Sequence, residues 1–425
     1  MIKHAALVVV LASVPTATLL VPPAASAAGS RDSGAEFDAF EQALESDYQQ
    51  LDAALEADFL ALDKALEAGF QRLHREVAAA WGEGEVELPS KHKWVDYSED
   101  INTRRVIDFE KGTVTLERLV DEGSSEADVV ASLNAAAEAV TSDTLSDLSE
   151  KDLALKYAKE QLERDQIDFD PYVAANGGAV VGSLVNNVTS GGRLGKTVSE
   201  AMAKGEVNED GIRAGVSQLT NGKKKVGVEI PFNFGFQSTL ASRYRSTVVR
   251  QARAHNVSPS LLYAVMETES SFNPRARSPI PAFGLMQLVP RSGGMDAYNH
   301  VYGEKVLLDP EYLYDPARNV ELGAAYLNLV YTRYLRHIKN PQSRLYCTIA
   351  AYNTGAGNVA RTFAGTNSVP EAAKVINTMT PAEVYEYMRQ NLPYEETRNY
   401  LEKVTRAQKK FSSLDHTAGV SSDAI

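Results

Sequence analysis

Two glutamates stand two residues apart where an apolar run ends, in Met266-Glu267-Thr268-Glu269-Ser270-Ser271-Phe272-Asn273-Pro274. Either carboxyl is a candidate for acid–base chemistry, and helical phase separates them. At 100° per residue, Leu262, Val265, Met266 and Glu269 share one face, whereas Glu267 points about 160° away from Glu269. Glu269 therefore continues the buried stripe and Glu267 is expected in solvent. A carboxyl in apolar surroundings near a helix C-terminus is disfavoured as an anion by desolvation and by the helix dipole. Its pKa should rise, as a general acid working near neutrality requires. Geometry alone leaves open a glutamate whose charge escapes at a fraying helix end. Ser258 fits as the cap of this helix and Pro259 as its first residue.

The segment that must position these carboxyls runs from Thr239 to Ser412. It carries 21 Lys/Arg against 14 Asp/Glu, or +7, within a chain of net charge −13, so the remainder carries −20. A basic half suits an anionic polymer, and nothing in the pattern marks nucleic-acid recognition. Helical patterns dominate: LASRYRSTVVRQARAH, VSPSLLYAVMETES, NVELGAAYLNLVYTRYL, SRLYCTIAAYN and EETRNYLEKVTRAQKKF. The single cysteine, Cys347, excludes an intramolecular disulfide and a cysteine-based zinc site, and its apolar run makes it a core residue. No metal and no cofactor are expected.

Ahead of this segment the chain changes character twice. Between Phe37 and Trp81 large apolar residues recur in steps of 3, 4 and 4, an 11-residue period that aligns Phe37, Tyr48, Phe59, Phe70 and Trp81. The period predicts one long, nearly straight amphipathic helix over 36–82. Its stripe must be covered by a second copy, by its own chain or by an envelope partner. Residues 83–235 read as a small α+β domain. INTRRVIDFEKGTVTLERL alternates around a hairpin turn at Lys111-Gly112, and KKVGVEIPFNF is strand-like. SEADVVASLNAAAEAV and SEKDLALKYAKEQLE each open on a serine followed three residues later by an acid, a helix start. Gly192-Arg193-Leu194-Gly195-Lys196-Thr197 imitates a phosphate loop, but Ser190 stands where such a loop needs glycine, so a Gly-rich turn is expected. Residues 1–27 have the charged start, apolar core and Ala25-Ser26-Ala27 cleavage site of an export signal. Residues 413–425 read as a flexible tail.

Four motifs in order carry a resemblance: Glu269-Ser270-Ser271-Phe272-Asn273-Pro274 with Ser278; Gly284-Leu285-Met286-Gln287-Leu288; Ala351-Tyr352-Asn353-Thr354-Gly355-Ala356-Gly357; and Glu396-Thr397-Arg398-Asn399-Tyr400. Together they resemble the lytic murein transglycosylases with a goose-lysozyme-like domain, over residues 239–412. Ile376–Tyr385, VVRQARAHNV and WGEGEVELP…DFEKGTVTLE are similar to the membrane-bound type C subfamily. The resemblance implies an α+β protein with a mainly α-helical, lysozyme-like catalytic domain that cleaves the MurNAc–GlcNAc bond of peptidoglycan strands in the periplasm. It implies Glu269 as catalytic acid then base, and Ser278 as a serine hydrogen-bonding near that carboxyl. Met286 and Gln287 are then groove-lining residues, Tyr352 and Asn353 a pair facing the acid, and Glu396 with Tyr400 a closing wall. Tyr352 and Tyr400 as packing residues, and Asn353 as a helix-end cap, remain open readings. So do a lysozyme-type hydrolase, with Glu395 or Glu396 as second carboxylate, and a non-catalytic peptidoglycan-binding scaffold. The subfamily's lipid-anchoring cysteine has no counterpart near Ala27, so no lipid anchor is expected. Pro281 replaces a usual glycine at the groove edge.

Overall fold

The computed structural model describes residues 33–121, 123–165, 178–185, 192–209, 211–279, 281–417 and 424–425, with side chains from residue 53 onward. The export signal lies outside the described residues. Among them no helix is long and apolar enough to cross a membrane. The expected α+β class holds, with one antiparallel sheet and a larger helical part.

The 11-residue period forms a single helix, α1 (Ser33–Trp81). From Phe59 onward its stripe is covered by its own chain. Leu62 and Leu66 pack with Phe283 and Leu288 of the helical part, while Leu73, Val77 and Trp81 pack with Val95, Tyr97, Val106 and Leu119 of the sheet. Of the three covers the sequence allows, this stretch takes the intramolecular one. Gly69, the one break in the helix-forming composition, is where Ala154 and Ala158 press closest, since a Cβ there would sit 2.3 Å from the Ala154 carbonyl oxygen.

The sheet has strand order β1-β2-β3-β6-β5-β4, all antiparallel, formed by β1 (Lys93–Tyr97), β2 (Thr103–Asp108), β3 (Thr113–Val120), β4 (Glu206–Glu209), β5 (Ile212–Gln218) and β6 (Lys224–Pro231). The β2–β3 hairpin closes with Asp108 opposite Thr113, and Gly112 takes the left-handed conformation (φ 72°) that its turn demands. Period-two alternation splits the strands between two covers. Trp94, Ile107, Val114 and Ile230 face α2 (Glu126–Ser142) and α5 (Arg193–Lys204), and Val95 and Val106 face the end of α1. α2 opens on the expected capping box of Ser125 and Asp128. Ser149 instead ends the short α3 (Leu145–Glu150), and Asp152 caps α4 (Leu153–Arg164). The phosphate-loop imitation is α5 itself rather than a turn, with Lys196 spent on Glu200 one helical turn on.

The helical part begins with α6 (Phe236–Arg243) and α7 (Arg245–His255), which split the single expected helix at Tyr244, whose ring stacks on Phe272. Then come α8 (Pro259–Ser270), α9 (Met295–Tyr302), α10 (Pro310–Tyr314), α11 (Pro316–Leu329), α12 (Pro341–Thr354), α13 (Ala356–Ala364), α14 (Val369–Ile376), α15 (Pro381–Asn391) and α16 (Glu395–Phe411). Cys347 is fully buried in α12. The expected flexible tail is tied at both described ends. Asp415 accepts from the Ser260 N–H and hydroxyl at 2.8 and 2.7 Å, and buried Ile425 exchanges backbone bonds with Asn256 and Ser258.

Candidate active site

Helix α8 is the axis of the helical part, packed by α7, α11 and α16. Ser258 and Pro259 start it as expected, the serine hydroxyl accepting from Leu261 N–H. Ten of its twelve residues are buried, so it has no broad solvent face. Glu267 is accordingly half-buried and ion-paired to Lys410, not simply solvated, whereas Glu269 is only 4% exposed.

The helix stops abruptly. Ser271 (φ 50°) and Phe272 (φ 65°) are both left-handed, a conformation costing roughly 1–2 kcal/mol per non-glycine residue. Burial holds it in place: Phe272 packs edge-on against Tyr263 and Phe411. The turn is further fixed by Ser270, whose hydroxyl lies 2.9 Å from the Met266 carbonyl oxygen and 2.8 Å from that of Leu285.

The loop 283–288 is pinned by a residue that no motif flagged. Fully buried Asn319 of α11 accepts from Met286 N–H at 2.8 Å and donates to the Phe283 and Leu313 carbonyls at 2.9 and 2.7 Å. Gly284 (φ 77°) admits this close approach, because a Cβ there would lie 2.2 Å from the Leu313 oxygen. Met286 does not line an open groove with its side chain, which is fully buried against Gly323. Its backbone carbonyl instead accepts from the Tyr352 hydroxyl at 2.8 Å. Gln287, left-handed at φ 49° and buried, is likewise a brace, donating to the Ala276 and Gly284 carbonyls at 3.0 Å each. Ser278 is buried, and its N–H donates to Ala282 across the loop containing Pro281.

Around the Glu269 carboxyl gather groups from three other places. Tyr352 of α12 and Tyr400 of α16 are close enough to feel its charge. The buried Tyr400 hydroxyl lies alongside the carboxyl without meeting full hydrogen-bond geometry. Asn353 is a bridge rather than a helix cap: its Oδ1 accepts from the Thr397 hydroxyl at 2.7 Å, tying α12 to α16, and Gly355 ends α12. Glu396 is exposed and lies 3.3 Å from the ammonium of Lys91, which sits 3.5 Å from Glu269 Oε2. Lys91 belongs to the segment before β1, and no local pattern in the sequence singles it out.

Burial pushes the Glu269 carboxyl above its ordinary pKa, and the Lys91 charge and Tyr400 hydroxyl oppose this without cancelling it, while Glu396 adds to the rise. Burial, then the Glu269 charge, holds both tyrosines well above their usual range, so they are neutral donors. The arrangement offers one protonatable carboxyl in a shielded pocket with hydroxyls and one cation around it. No group of three potential metal ligands occurs among the described residues. A shallow depression over the sheet, lined by Thr115, Glu117, Arg213 and Lys225, shares no residue with this site.

Comparison with known proteins agrees with the two-part architecture. Residues 246–375 match the transglycosylase SLT domain, and residues 59–128 match the N-terminal domain of membrane-bound lytic murein transglycosylase C. The chain is 32% identical over 333 residues to membrane-bound lytic murein transglycosylase C of Actinobacillus succinogenes, covering 78% of this chain and 84% of that protein. It is 32% identical over 335 residues to the protein of the same name from Klebsiella pneumoniae, covering 78% and 85%. A lytic transglycosylase Slt of Pseudomonas aeruginosa aligns with 43% of this chain and 25% of its own at 26% identity, with a TM-score of 0.32. The long match to the first two relatives, reaching through both parts of the fold, makes this chain a member of the membrane-bound lytic murein transglycosylase C family and a peptidoglycan lytic transglycosylase.

Proposed function

We propose that the chain cleaves the β-1,4 bond between MurNAc and GlcNAc with Glu269 as sole acid and base, leaving a 1,6-anhydro-MurNAc end. The observation that carries this reading is the Glu269 carboxyl, buried between α8, α12 and α16 beside an exposed Glu396 and held above its ordinary pKa. Glu269 gives its proton to the glycosidic oxygen as the C1–O bond breaks, the bonding electrons passing to the leaving GlcNAc oxygen. The carboxylate then takes the C6 hydroxyl proton while that oxygen bonds to C1, so water is not consumed. Ordinary glycosidases face the scissile bond with two carboxylates. Here the second nearby carboxylate, Glu396, is exposed and engaged by Lys91, which favours the one-carboxyl route over a hydrolytic one.

Tyr400 donates to the carboxylate or to substrate oxygens, while Tyr352, its one proton given to the Met286 carbonyl, holds that loop beside the acid. Asn353 fixes the α12–α16 wall, Met286 through its carbonyl and Gln287 through its side-chain brace shape the floor, and Ser278 and Glu396 contact the glycan. The place of action is the periplasmic face of the wall. A self-association or docking role for the N-terminal helix falls to the part before Phe59, since the stripe beyond it is covered. Mass analysis of digested murein tests the reading. Anhydro-muropeptides, lighter by one water than hydrolysis products, are expected from the wild type and none from Glu269→Gln. Hydrated ends, or full lysis by Glu269→Gln, would refute it.

A further inference from the structure

The backbone on both sides of Lys91 is fastened to the turn that follows Glu269. The Ser90 carbonyl accepts from Arg277 N–H at 3.3 Å, the Lys91 carbonyl accepts from Asn273 Nδ2 at 3.3 Å, and His92 Nδ1 lies 3.0 Å from Ser271 Oγ. Three successive residues therefore dock on the turn 271–277 that follows Glu269, and the middle of them sends its ammonium between Glu269 and Glu396. From this geometry we infer that Lys91 is a positioning residue of the reaction, orienting the Glu269 carboxyl and stabilising the carboxylate that proton donation leaves behind. The inference rests on Glu269 being the acid and base, and extends it by giving the N-terminal part of the chain a share in the chemistry.

Each charged or titratable group facing Glu269 has a definite sign. Lys91 comes from the segment before β1, Glu396 and Tyr400 from α16, and Tyr352 from α12. Burial works against the charge on Lys91, yet Glu269 and Glu396 more than offset it and keep the ammonium protonated. His92 is not a second cation: burial lowers its pKa, with Lys91 and Lys403 adding to the effect against Glu110 and Asp108. Lys91 is thus the sole full positive charge on the carboxyl among the described residues. Glu396, largely in water, screens it only in part. A fixed cation at this distance costs no reorganisation when Glu269 ionises, the preorganisation that lowers barriers in shielded sites.

The test compares Lys91→Met, Lys91→Arg and Glu396→Gln in the full chain. Two readouts are used: the pH profile of cleavage on soluble glycan strands, and direct titration of the Glu269 carboxyl by carbon-13 NMR against Glu269→Gln. Lys91→Met should move the Glu269 titration and the alkaline limb upward by about one pH unit or more, as loss of an adjacent opposite charge does. It should lower kcat at least about tenfold with little change in KM. Lys91→Arg should restore the wild-type profile, and Glu396→Gln should shift the limb the opposite way. An unshifted Glu269 titration in Lys91→Met, or equal loss in the Met and Arg variants, overturns the inference. Glu269→Gln being inactive while Lys91→Met titrates like the wild type would sink this inference alone. An active Glu269→Gln would remove the reading beneath it as well.

Discussion

Replacing Asn319 with alanine should cripple both the stability and the activity of a site it never touches. The side chain is fully buried and makes three bonds to backbone groups of two separate segments. Truncation takes the partner of the Met286 N–H and of the Leu313 carbonyl, whereas the Phe283 carbonyl keeps the Leu288 N–H. Each buried polar group left without its bond costs about 1–3 kcal/mol, and the vacated volume adds to that. The sum is about 3–5 kcal/mol, a large share of the roughly 5–15 kcal/mol that holds a domain folded. Loop 283–288 carries the carbonyl that seats Tyr352, so murein cleavage should fall with stability. Asn319→Asp should not rescue, because it sets a carboxylate oxygen against two carbonyls. Urea unfolding followed by far-UV circular dichroism is the assay of choice. Tryptophan fluorescence would mislead, since Trp81 and Trp94 both lie at the sheet. A loss below about 1 kcal/mol in Asn319→Ala would refute the argument that this amide holds the loop.

Two further outcomes follow from buried charge. Arg275, 1% exposed, pairs with Asp152 at 3.1 Å and Glu311 at 2.9 Å, joining α4 to α10, so Arg275→Met strands two carboxylates and should cost about 3–5 kcal/mol in thermal or urea unfolding. Glu269→Gln should be more stable than the wild type at neutral pH. The folded pKa of Glu269 is raised, so its contribution is fully favourable below the unfolded value and lost as pH rises through the folded one. The gap in Tm between variant and wild type should therefore close as pH falls below about 4, near the unperturbed glutamate value, and a constant gap would refute the assignment.

The buried carboxyl proposed as the acid is legible in the sequence for a reason narrower than the true one. Helical phase selects Glu269, but it does so by assuming one buried face, and α8 is buried almost all round. Phase could not say that Glu267 finds Lys410. The straight stripe of α1 was legible because an 11-residue period is local, but its cover was not, because the packing partners Phe283, Leu288 and Val95 are distant in the chain. The motifs single out Met286 and Gln287, yet Met286 acts through its backbone carbonyl and Gln287 by bracing two other carbonyls, neither of which a groove-lining role contains. Lys91 and Asn319 are not legible in the sequence because their importance lies wholly in what they reach. Neither sits in a periodic or motif context, and only the fold brings their polar atoms to the site.

The bonds between residues 90–92 and 271–277 span 179 to 187 positions of sequence. Contacts of such separation pay their loop-closure entropy late, after local helices and the hairpin have formed. The pocket's electrical environment is thus among the last things to be assembled. Catalytic competence becomes a property of the finished chain: α8 wound by itself would present its carboxyl without the cation that the completed protein sets beside it.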